Sequence, residues 1–347
     1  MDQGSTIASI RFVGLKSRIS SMAFLINSIR APRESAAKKN LSRLIILIQC
    51  RINMRTEQEL KNVVREKYAK IAENGKVENA ASCCGATDPS TKVYNIMTDD
   101  YSETEGYVTD ADLGLGCGLP TQFAQIQKGD TVIDLGSGAG NDCFVARHET
   151  GAEGKVLGID FTQAMIQKAR TNAEKLGYNN VEFREGDIDN MPVNDDVADV
   201  IVSNCVLNLV PNKKKVIGEI LRVLKPGGHF SISDIVLVGD LPEALRHDAE
   251  MYAGCVAGAI QKDEYLGFIE KAGFETVTLQ KEKPIIIPDD ILEKYLSESE
   301  IEEFKKGETG IFSITVYAEK PGGASEKPKL KLSEVQSNDC EPGSGCC

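Results

Sequence analysis

The chain lacks tryptophan and has few aromatic residues and histidines. Of its 347 residues, 6% are aromatic and three are histidine. Most enzymes that activate an oxygen or nitrogen acceptor use a histidine or a carboxylate as general base. His148 and His229 fall in a helix and in a turn before a strand, where structural roles are common, and His247 falls in a charged, exposed helical pattern. None of the three therefore stands out as a base.

Long hydrophobic runs are also missing. The longest strongly apolar run covers residues 44–48, whereas a membrane-spanning helix needs about 20 residues. No secretory signal is evident, and ten cysteines in a chain of this length are too sparse for a small disulfide scaffold. These features favour a reducing, cytoplasmic compartment, in which thiols serve binding or redox chemistry.

Acidic residues are scarce only at the N-terminus. Residues 1–53 contain nine lysines and arginines and two acids, which leaves 31 basic and 50 acidic residues for the rest. The acidic body argues against nucleic acid as a partner. The basic segment is interpreted first as an upstream extension with Met54 as the working start. A presequence for organellar targeting or a surface-binding arm, and a structural element, remain alternatives.

Beyond the basic segment, the sequence predicts an α/β fold. Seven short segments are candidate strands: Thr131–Leu135, Lys155–Asp160, Val181–Glu185, Ala198–Asn204, His229–Ile235, Thr276–Gln280 and Ile311–Glu319. Helical periodicity covers Thr56–Ala72, Asp142–Glu149, Thr162–Leu176, Lys213–Leu224 and Lys262–Ala272. Strands that alternate with helices predict a doubly wound, seven-stranded, mostly parallel Rossmann-like sheet, with the last two strands as an antiparallel edge.

This pattern divides the chain into five predicted regions. They are the basic extension (1–53), an N-terminal helical and loop cap (54–125), a cofactor-binding core (126–282), an acceptor-side extension with the last strand (283–320) and a disordered tail (321–347). The tail is rich in Lys, Ser and Pro, a composition typical of disorder.

A glycine-rich turn comes after the first predicted strand. Gly136, Gly138 and Gly140 alternate between an apolar run that contains Asp134 and a helix-like pattern. Such a turn lets a cofactor approach the backbone closely, and Asp160, at the end of the second strand, suits ribose hydroxyls. Asp134 can anchor the turn by hydrogen bonds. A dinucleotide enzyme would share the turn and the second acid, so these two features leave the cofactor open.

Three later segments narrow the choice of cofactor. Asp187 and Ile188 come after strand three and can meet an adenine edge, Asn204 ends strand four beside the reactive end of a ligand, and residues 224–230 form a helix stop and turn. The set resembles class I S-adenosylmethionine-dependent methyltransferases. The resemblance implies S-adenosylmethionine as cofactor, held by Asp134, Gly136, Ser137, Gly138, Gly140, Asp160, Phe161, Met165, Asp187, Ile188 and Asn204.

Three cysteines fall at the same end of the predicted sheet. Cys205 comes directly after strand four, Cys117 lies in a glycine-flanked segment before strand one, and Cys255 lies in a small-residue stretch after strand five. Any one of them alone would be interpreted as a buried small hydrophobe, as Cys143 is. Together they favour a site for a soft metal or metalloid, because thiolates prefer such centres.

Four motifs carry a closer resemblance. "LGLGCGLP" at 113–120, "DLGSGAGNDCFVA" at 134–146, "SNCVLNLVP" at 203–211 and "GCVAGAI" at 254–260 together resemble arsenite S-adenosylmethionine methyltransferases over about residues 57–320. The resemblance implies trivalent arsenic bound by Cys117, Cys205 and Cys255. It also implies a relay cysteine, Cys83 or Cys84, with glutathione or thioredoxin as thiol reductant. The absence of an obvious base fits, because arsenic itself would be the nucleophile.

Several alternatives stay open on sequence alone. Methyl transfer to a small organic acceptor such as a quinone would make the cysteines incidental. A non-catalytic arsenical-binding protein could retain the cofactor fold. The terminal Cys346 and Cys347 could capture arsenite, or could be an exposed pair with no catalytic need.

Overall fold

The computed structural model describes residues 57–73, 99–239, 258–287, 289–293, 296–306 and 309–322. Its strands are β1 (Thr131–Leu135), β2 (Lys155–Asp160), β3 (Val181–Glu185), β4 (Ala198–Asn204), β5 (Leu224–Val238), β6 (Glu275–Pro284) and β7 (Gly310–Glu319). Its α-helices are α1 (Glu57–Glu73), α2 (Pro120–Phe123), α3 (Asn141–Thr150), α4 (Gln163–Leu176), α5 (Lys213–Val223), α6 (Lys262–Ala272), α7 (Asp289–Leu292) and α8 (Glu298–Lys306). A 3₁₀ turn spans Leu207–Leu209.

The strands form one sheet in the order β3-β2-β1-β4-β5-β7-β6. Strands β1 to β5 pair in parallel, and β7 runs antiparallel to both of its neighbours. The predicted doubly wound sheet is therefore confirmed. The antiparallel strand β7 lies inside the sheet, and β6 forms the edge.

Alternation along each strand divides the core into two layers. Ile133 and Leu135 of β1 pack with α5 and α6 on one face, whereas Val132 packs with α3 and α4 on the other. Successive side chains of a strand point to opposite faces, so a strand covered on both sides is apolar throughout. For this reason β1, β2 and β4 stand out in the sequence as apolar runs, whereas β3, at the edge of the sheet, alternates apolar and charged residues. The predicted bounds of all four strands are the observed ones.

The main departure from the predicted elements is at the start of β5. The strand begins at Leu224 because Leu224 pairs with Ala198 of β4, with a register shift between Ala198 and Val200. The pairing with β4 skips residues 225–228, so the predicted turn persists as an irregularity inside the longer strand. Gly227 takes a positive φ of 77° there, which a side chain would disfavour.

Several predictions concern residues outside the described ranges. These include the basic extension, the tail, and Cys83, Cys84, Cys255, Cys346 and Cys347. Within the described ranges, no helix combines the length and apolar character needed to cross a membrane.

The core predicts a graded cost of removing aromatic rings. Phe230 of β5 is fully buried and meets Phe274 edge to face, with 4.9 Å between ring centroids. We expect Phe230→Ala to lower the free energy of unfolding by about 3–5 kcal/mol, through lost burial and a cavity, in urea denaturation. Phe268 is the matched control, since its half-buried ring lies under Lys214 and its loss should cost less than about 1.5 kcal/mol. Equal losses would contradict this description of the core.

Candidate active site

A cavity opens at the carboxyl ends of β1, β2 and β4, where the winding of the sheet switches. It encloses about 1040 Å³ including its mouth. Nine of the eleven predicted cofactor residues line it: Asp134, Gly136, Ser137, Gly138, Asp160, Phe161, Asp187, Ile188 and Asn204. The remaining two lie behind its wall. Met165 is fully buried against the core, and a Cβ at Gly140 would lie 2.9 Å from the rings of both Phe144 and Phe183.

The glycine turn shapes the floor of this cavity. Gly136 and Gly138 have φ of 69° and 51°, in the left-handed region that L-residues avoid. A Cβ at Gly138 would meet no atom within 4 Å, so this residue faces open space. Its N–H donates to Asp160 Oδ2 (3.1 Å), and the N–H of Thr162 donates to Asp160 Oδ1 (2.7 Å). Asp160 therefore ties the turn to the end of β2.

Two residues that line the cavity each have a buried polar atom without a hydrogen-bond partner among the described residues. Ser137 Oγ and Asn141 Oδ1 have no hydrogen bond to any residue that the structure describes. Buried polar groups are nearly always hydrogen-bonded. With the open face of Gly138, they make the cavity suitable for a ligand that carries polar groups of its own.

Buried acids surround the inner end of the cavity. Burial, followed by the charge of Asp142, raises the pKa of Asp134 well above its usual value. Burial also raises the pKa of Asp142 to about 6, against hydrogen bonds from Tyr101 and Asn204 that lower it. The Tyr101 hydroxyl donates to Asp142 Oδ1 at 2.8 Å. This end of the cavity suits a cationic group, because each carboxylate is otherwise costly to bury.

Sequence reasoning missed Tyr101 and Asp142. Asp142 stands in the glycine motif, at the start of α3, and its position beside the turn was an available signal. Tyr101 lies 41 residues from Asp142 in sequence, and no local pattern marks it. The sequence predicts that Cys143 is a small buried hydrophobe. It is fully buried, but its thiol also donates to Asp134 Oδ2 at 3.2 Å.

The outer end of the cavity is bounded by helix α1. Lys61 Nζ lies 2.8 Å from Asp187 Oδ2 and 2.5 Å from Asp189 Oδ2. Although burial opposes it, hydrogen bonding to Lys61 and Lys215 lowers the pKa of Asp189. Lys61 lines the cavity, and no sequence pattern distinguishes it from the other lysines of α1. Helix α1 thus contributes a charged side chain to the predicted adenine end.

The structure brings Cys117 and Cys205 together. Cys205 lines the cavity directly after β4, whereas Cys117 is fully buried before α2. Both belong to one apolar cluster, which also contains Ile235, Leu237, Ala259, Ile285 and Ile311. Cys205 has a φ of 62°, and its N–H donates to Ser233 O at 2.8 Å. This left-handed backbone costs of order 1–3 kcal/mol in a residue with a side chain.

The third predicted thiol lies outside the described residues. Gly258, three positions after Cys255, packs so tightly that a Cβ there would overlap the carbonyl oxygen of Asn208. Ala259 belongs to the cluster of Cys117 and Cys205. Within the described ranges, no three Cys, His, Asp or Glu side chains form a group able to hold a metal ion. The predicted roles of Cys255, Cys83 and Cys84 stay predictions.

A buried acid and phenol lie close to the two thiols. Burial raises the pKa of Asp234 to about 7, although the charge of Lys213 lowers it. The Tyr265 hydroxyl donates to Asp234 Oδ2 at 3.3 Å. Burial, the charge of Asp234, and Cys117 and Cys205 all raise the pKa of Tyr265. Tyr265 is therefore within electrostatic reach of both thiols.

The two described histidines serve the structure. His229 is buried, and its Nε2 donates to Ala124 O at 2.6 Å. His148 Nε2 contacts Glu105 Oε2 at 2.9 Å near the surface. Neither is among the residues that line the cavity, in agreement with the structural roles predicted for them.

A glycine turn, acids at consecutive strand ends and this strand order define a class I methyltransferase. Residues 126–273 match the family model described as a methyltransferase domain. An arsenite methyltransferase of Halobacterium salinarum is 40% identical over 280 residues, which cover 77% of this chain and 68% of that protein. One from Aquipseudomonas alcaligenes is 33% identical, covering 68% of each. The chain belongs to the arsenite methyltransferase family.

A solved structure is also similar. It is an arsenic(III) S-adenosylmethionine methyltransferase from Chlamydomonas reinhardtii, with 32% sequence identity and a TM-score of 0.49. The alignment covers 60% of this chain and 68% of that one.

The glycine turn predicts a selective loss of cofactor. We expect Gly138→Val to abolish measurable binding of S-adenosylmethionine in calorimetry, because the new side chain would fill the cavity. Gly177→Val is the matched control, since Gly177 has a φ of 67°, also faces open space and ends α4 away from the cavity. Both variants should lose about 1–2 kcal/mol of stability through backbone strain. Equal cofactor affinities in the two variants would contradict the assignment.

The buried Asp234 predicts a pH dependence of stability. Its folded pKa of about 7 lies above its ordinary value of 3.8, so the folded state binds more protons between these values. Its contribution to stability is therefore complete below about pH 4 and is lost as the pH rises through about 7. We expect Asp234→Asn to remove this loss. The unfolding free energy of the variant, relative to that of the unsubstituted chain, should therefore rise as the pH increases. Urea denaturation between about pH 4.5 and 8 measures the difference, and parallel profiles would refute it.

Proposed function

We propose that the chain transfers a methyl group from S-adenosylmethionine to trivalent arsenic bound by cysteine thiolates. The observation that carries the proposal is the position of Cys205. It lines the methyltransferase cavity at the end of β4 and shares a buried cluster with Cys117. A soft ligand pair at the reactive end of this cavity suits a soft acceptor atom.

The cavity fits the proposed cofactor. S-adenosylmethionine supplies an electrophilic methyl group on a positively charged sulfur. Asp134 and Asp142 place buried carboxyl groups at the inner end, where a bound cation would favour their ionised forms. Ser137 and Asn141 each have a buried polar atom without a partner among the described residues. Acids also stand at the ends of β2 and β3, where ribose and adenine would lie; they are Asp160 and Asp187. We assign these residues to cofactor binding on that basis.

The thiols would hold and orient the acceptor. Trivalent arsenic bound to thiolates keeps its lone pair, which attacks the methyl carbon as the carbon–sulfur bond breaks and its electron pair returns to sulfur. No proton is transferred in this step, so no general base is required. The protein's contribution is alignment at about 3–3.5 Å before attack, in an apolar cluster that excludes water.

Further parts of the proposal concern residues outside the described ranges. Cys255 would supply the third thiolate. Cys83 or Cys84 would form a disulfide with a thiol of the site. The two electrons released by this oxidation would return methylated pentavalent arsenic to the trivalent state. Thioredoxin or glutathione would then reduce the disulfide, as expected in the cytoplasm.

The decisive assay measures cofactor consumption. With arsenite, S-adenosylmethionine and a thiol reductant, we expect arsenite-dependent formation of S-adenosylhomocysteine and methylated arsenicals, separated by chromatography and detected by mass spectrometry. Arsenite binding without consumption of cofactor would instead indicate a binding protein. Methylation of a quinone but not of arsenite would indicate an organic acceptor.

A cysteine pair provides the matched variants for this assay. Cys205→Ser should lower the rate of arsenic methylation at least about 100-fold, because a hydroxyl is a poor ligand for arsenic. Cys143→Ser should keep most of the activity, since Cys143 lies outside the thiol cluster and a hydroxyl can still donate to Asp134. Similar rates for both variants would argue against a thiolate-bound acceptor.

A further inference from the structure

The side-chain amide of Asn204, a predicted cofactor residue, makes hydrogen bonds to the backbone of the segment that contains Cys117. Its Oδ1 accepts the N–H of Cys117 at 3.0 Å, and its Nδ2 donates to Gly118 O at 2.8 Å. One amide group therefore bonds to the backbone of two consecutive residues. These bonds fix the segment that carries Cys117 against the end of β4.

The glycines beside Cys117 make this contact possible. A Cβ at Gly116 would lie 2.6 Å from Asn204 Nδ2, and a Cβ at Gly118 would lie 2.5 Å from Ser233 Oγ. Neither glycine has the positive φ that would by itself require glycine. Both are therefore explained by close approach. Ser313 Oγ completes the attachment by donating to Cys117 O at 2.6 Å.

The same amide reaches the cofactor cavity. Asn204 Nδ2 also donates to the Tyr101 hydroxyl at 2.5 Å and lies 3.3 Å from Asp142 Oδ2. Tyr101, Asp142 and Asn204 all line the cavity. Cys205, the other described thiol of the site, is the next residue in the chain. Asn204 is thus bonded to the Cys117 segment, to the polar groups of the cavity and, covalently, to Cys205.

We propose that Asn204 is a positioning residue, which holds Cys117 next to Cys205 at the inner end of the cofactor cavity. The proposal rests on the arsenite methyltransferase function for its consequence, but the attachment itself is a property of the chain alone. Loss of the amide leaves the N–H of Cys117 and the carbonyl of Gly118 without these partners in a buried site. Such a loss shifts the equilibrium for local opening of the Cys117 segment by about 10-fold.

The test compares thiol reactivity with ligand affinity. In Asn204→Ala, we expect iodoacetamide to alkylate Cys117 about 10-fold faster than in the unsubstituted chain, as measured by peptide mass spectrometry. Alkylation of Cys143 should be unchanged, because that thiol is buried elsewhere and reports general opening. Arsenite affinity, measured calorimetrically without cofactor, should fall about 10-fold and by more than the affinity for S-adenosylmethionine.

Asn180→Ala is the matched control. Asn180 Nδ2 also donates to backbone carbonyls, those of Gly151 (3.0 Å) and Gly154 (2.8 Å), at the opposite end of the strands. This variant should leave Cys117 alkylation unchanged. If Asn204→Ala does not fold, Gly116→Ala takes its place, since its methyl group would push the segment away from Asn204 and should also accelerate alkylation.

Two results separate the possible failures. An unchanged rate of Cys117 alkylation in the folded variant, or equal acceleration at Cys143, would overturn the positioning role, whatever happens to cofactor affinity. If the unsubstituted chain binds no arsenite, the proposed function fails. The alkylation rates then still decide whether Asn204 holds the Cys117 segment.

Discussion

The parallel pairing of β1 with β4 is the constraint on which the site depends. Leu135 is in register with Ser203, so the two strands end side by side. The glycine turn comes directly after β1, while β4 ends at Asn204 and Cys205 is the next residue. Because the winding direction changes between these strands, their connections diverge and leave a crevice between them. The turn that would hold a cofactor and the thiol that would hold an acceptor therefore meet at one edge.

This arrangement requires several carboxyl groups to be buried, which costs free energy. Asp134, Asp160 and Asp234 are almost fully buried, and burial raises the pKa of each. Partners offset part of this cost, through backbone N–H groups at Asp160 and the phenol of Tyr265 at Asp234. Asp134 has the Cys143 thiol, which is a weak donor. Asp134 therefore has the weakest partner of the three acids. It lies where the positively charged sulfur of the cofactor is expected, and a cation bound there would offset the cost of burying its charge.

The elements that sequence reasoning located well are those whose signals are local. The bounds of β1 to β4 can be predicted from short apolar or alternating segments that end at an acid, a glycine or an asparagine. Nine predicted cofactor residues line the cavity because strand ends dictate their place. Lys61 and Tyr101 were missed because their contacts join residues 126 and 41 positions apart. Nothing in their neighbourhood distinguishes them from other surface lysines and core tyrosines. The start of β5 was misplaced because pairing with β4, a tertiary contact, extends the ladder through a glycine turn.

The two glycines around Cys117 show how a local pattern acquires its meaning only in three dimensions. In the sequence, they mark only a glycine-flanked segment before the first strand. In the structure, they are sites of contact, one against Asn204 and the other against Ser233. A segment held by an amide, a serine hydroxyl and two close approaches is anchored on three strands, β4, β5 and β7. Anchoring matters for methyl transfer, because alignment of the reacting atoms supplies much of the rate. A thiol on a loose loop would bind arsenic, but it would not hold the lone pair in line with the methyl group.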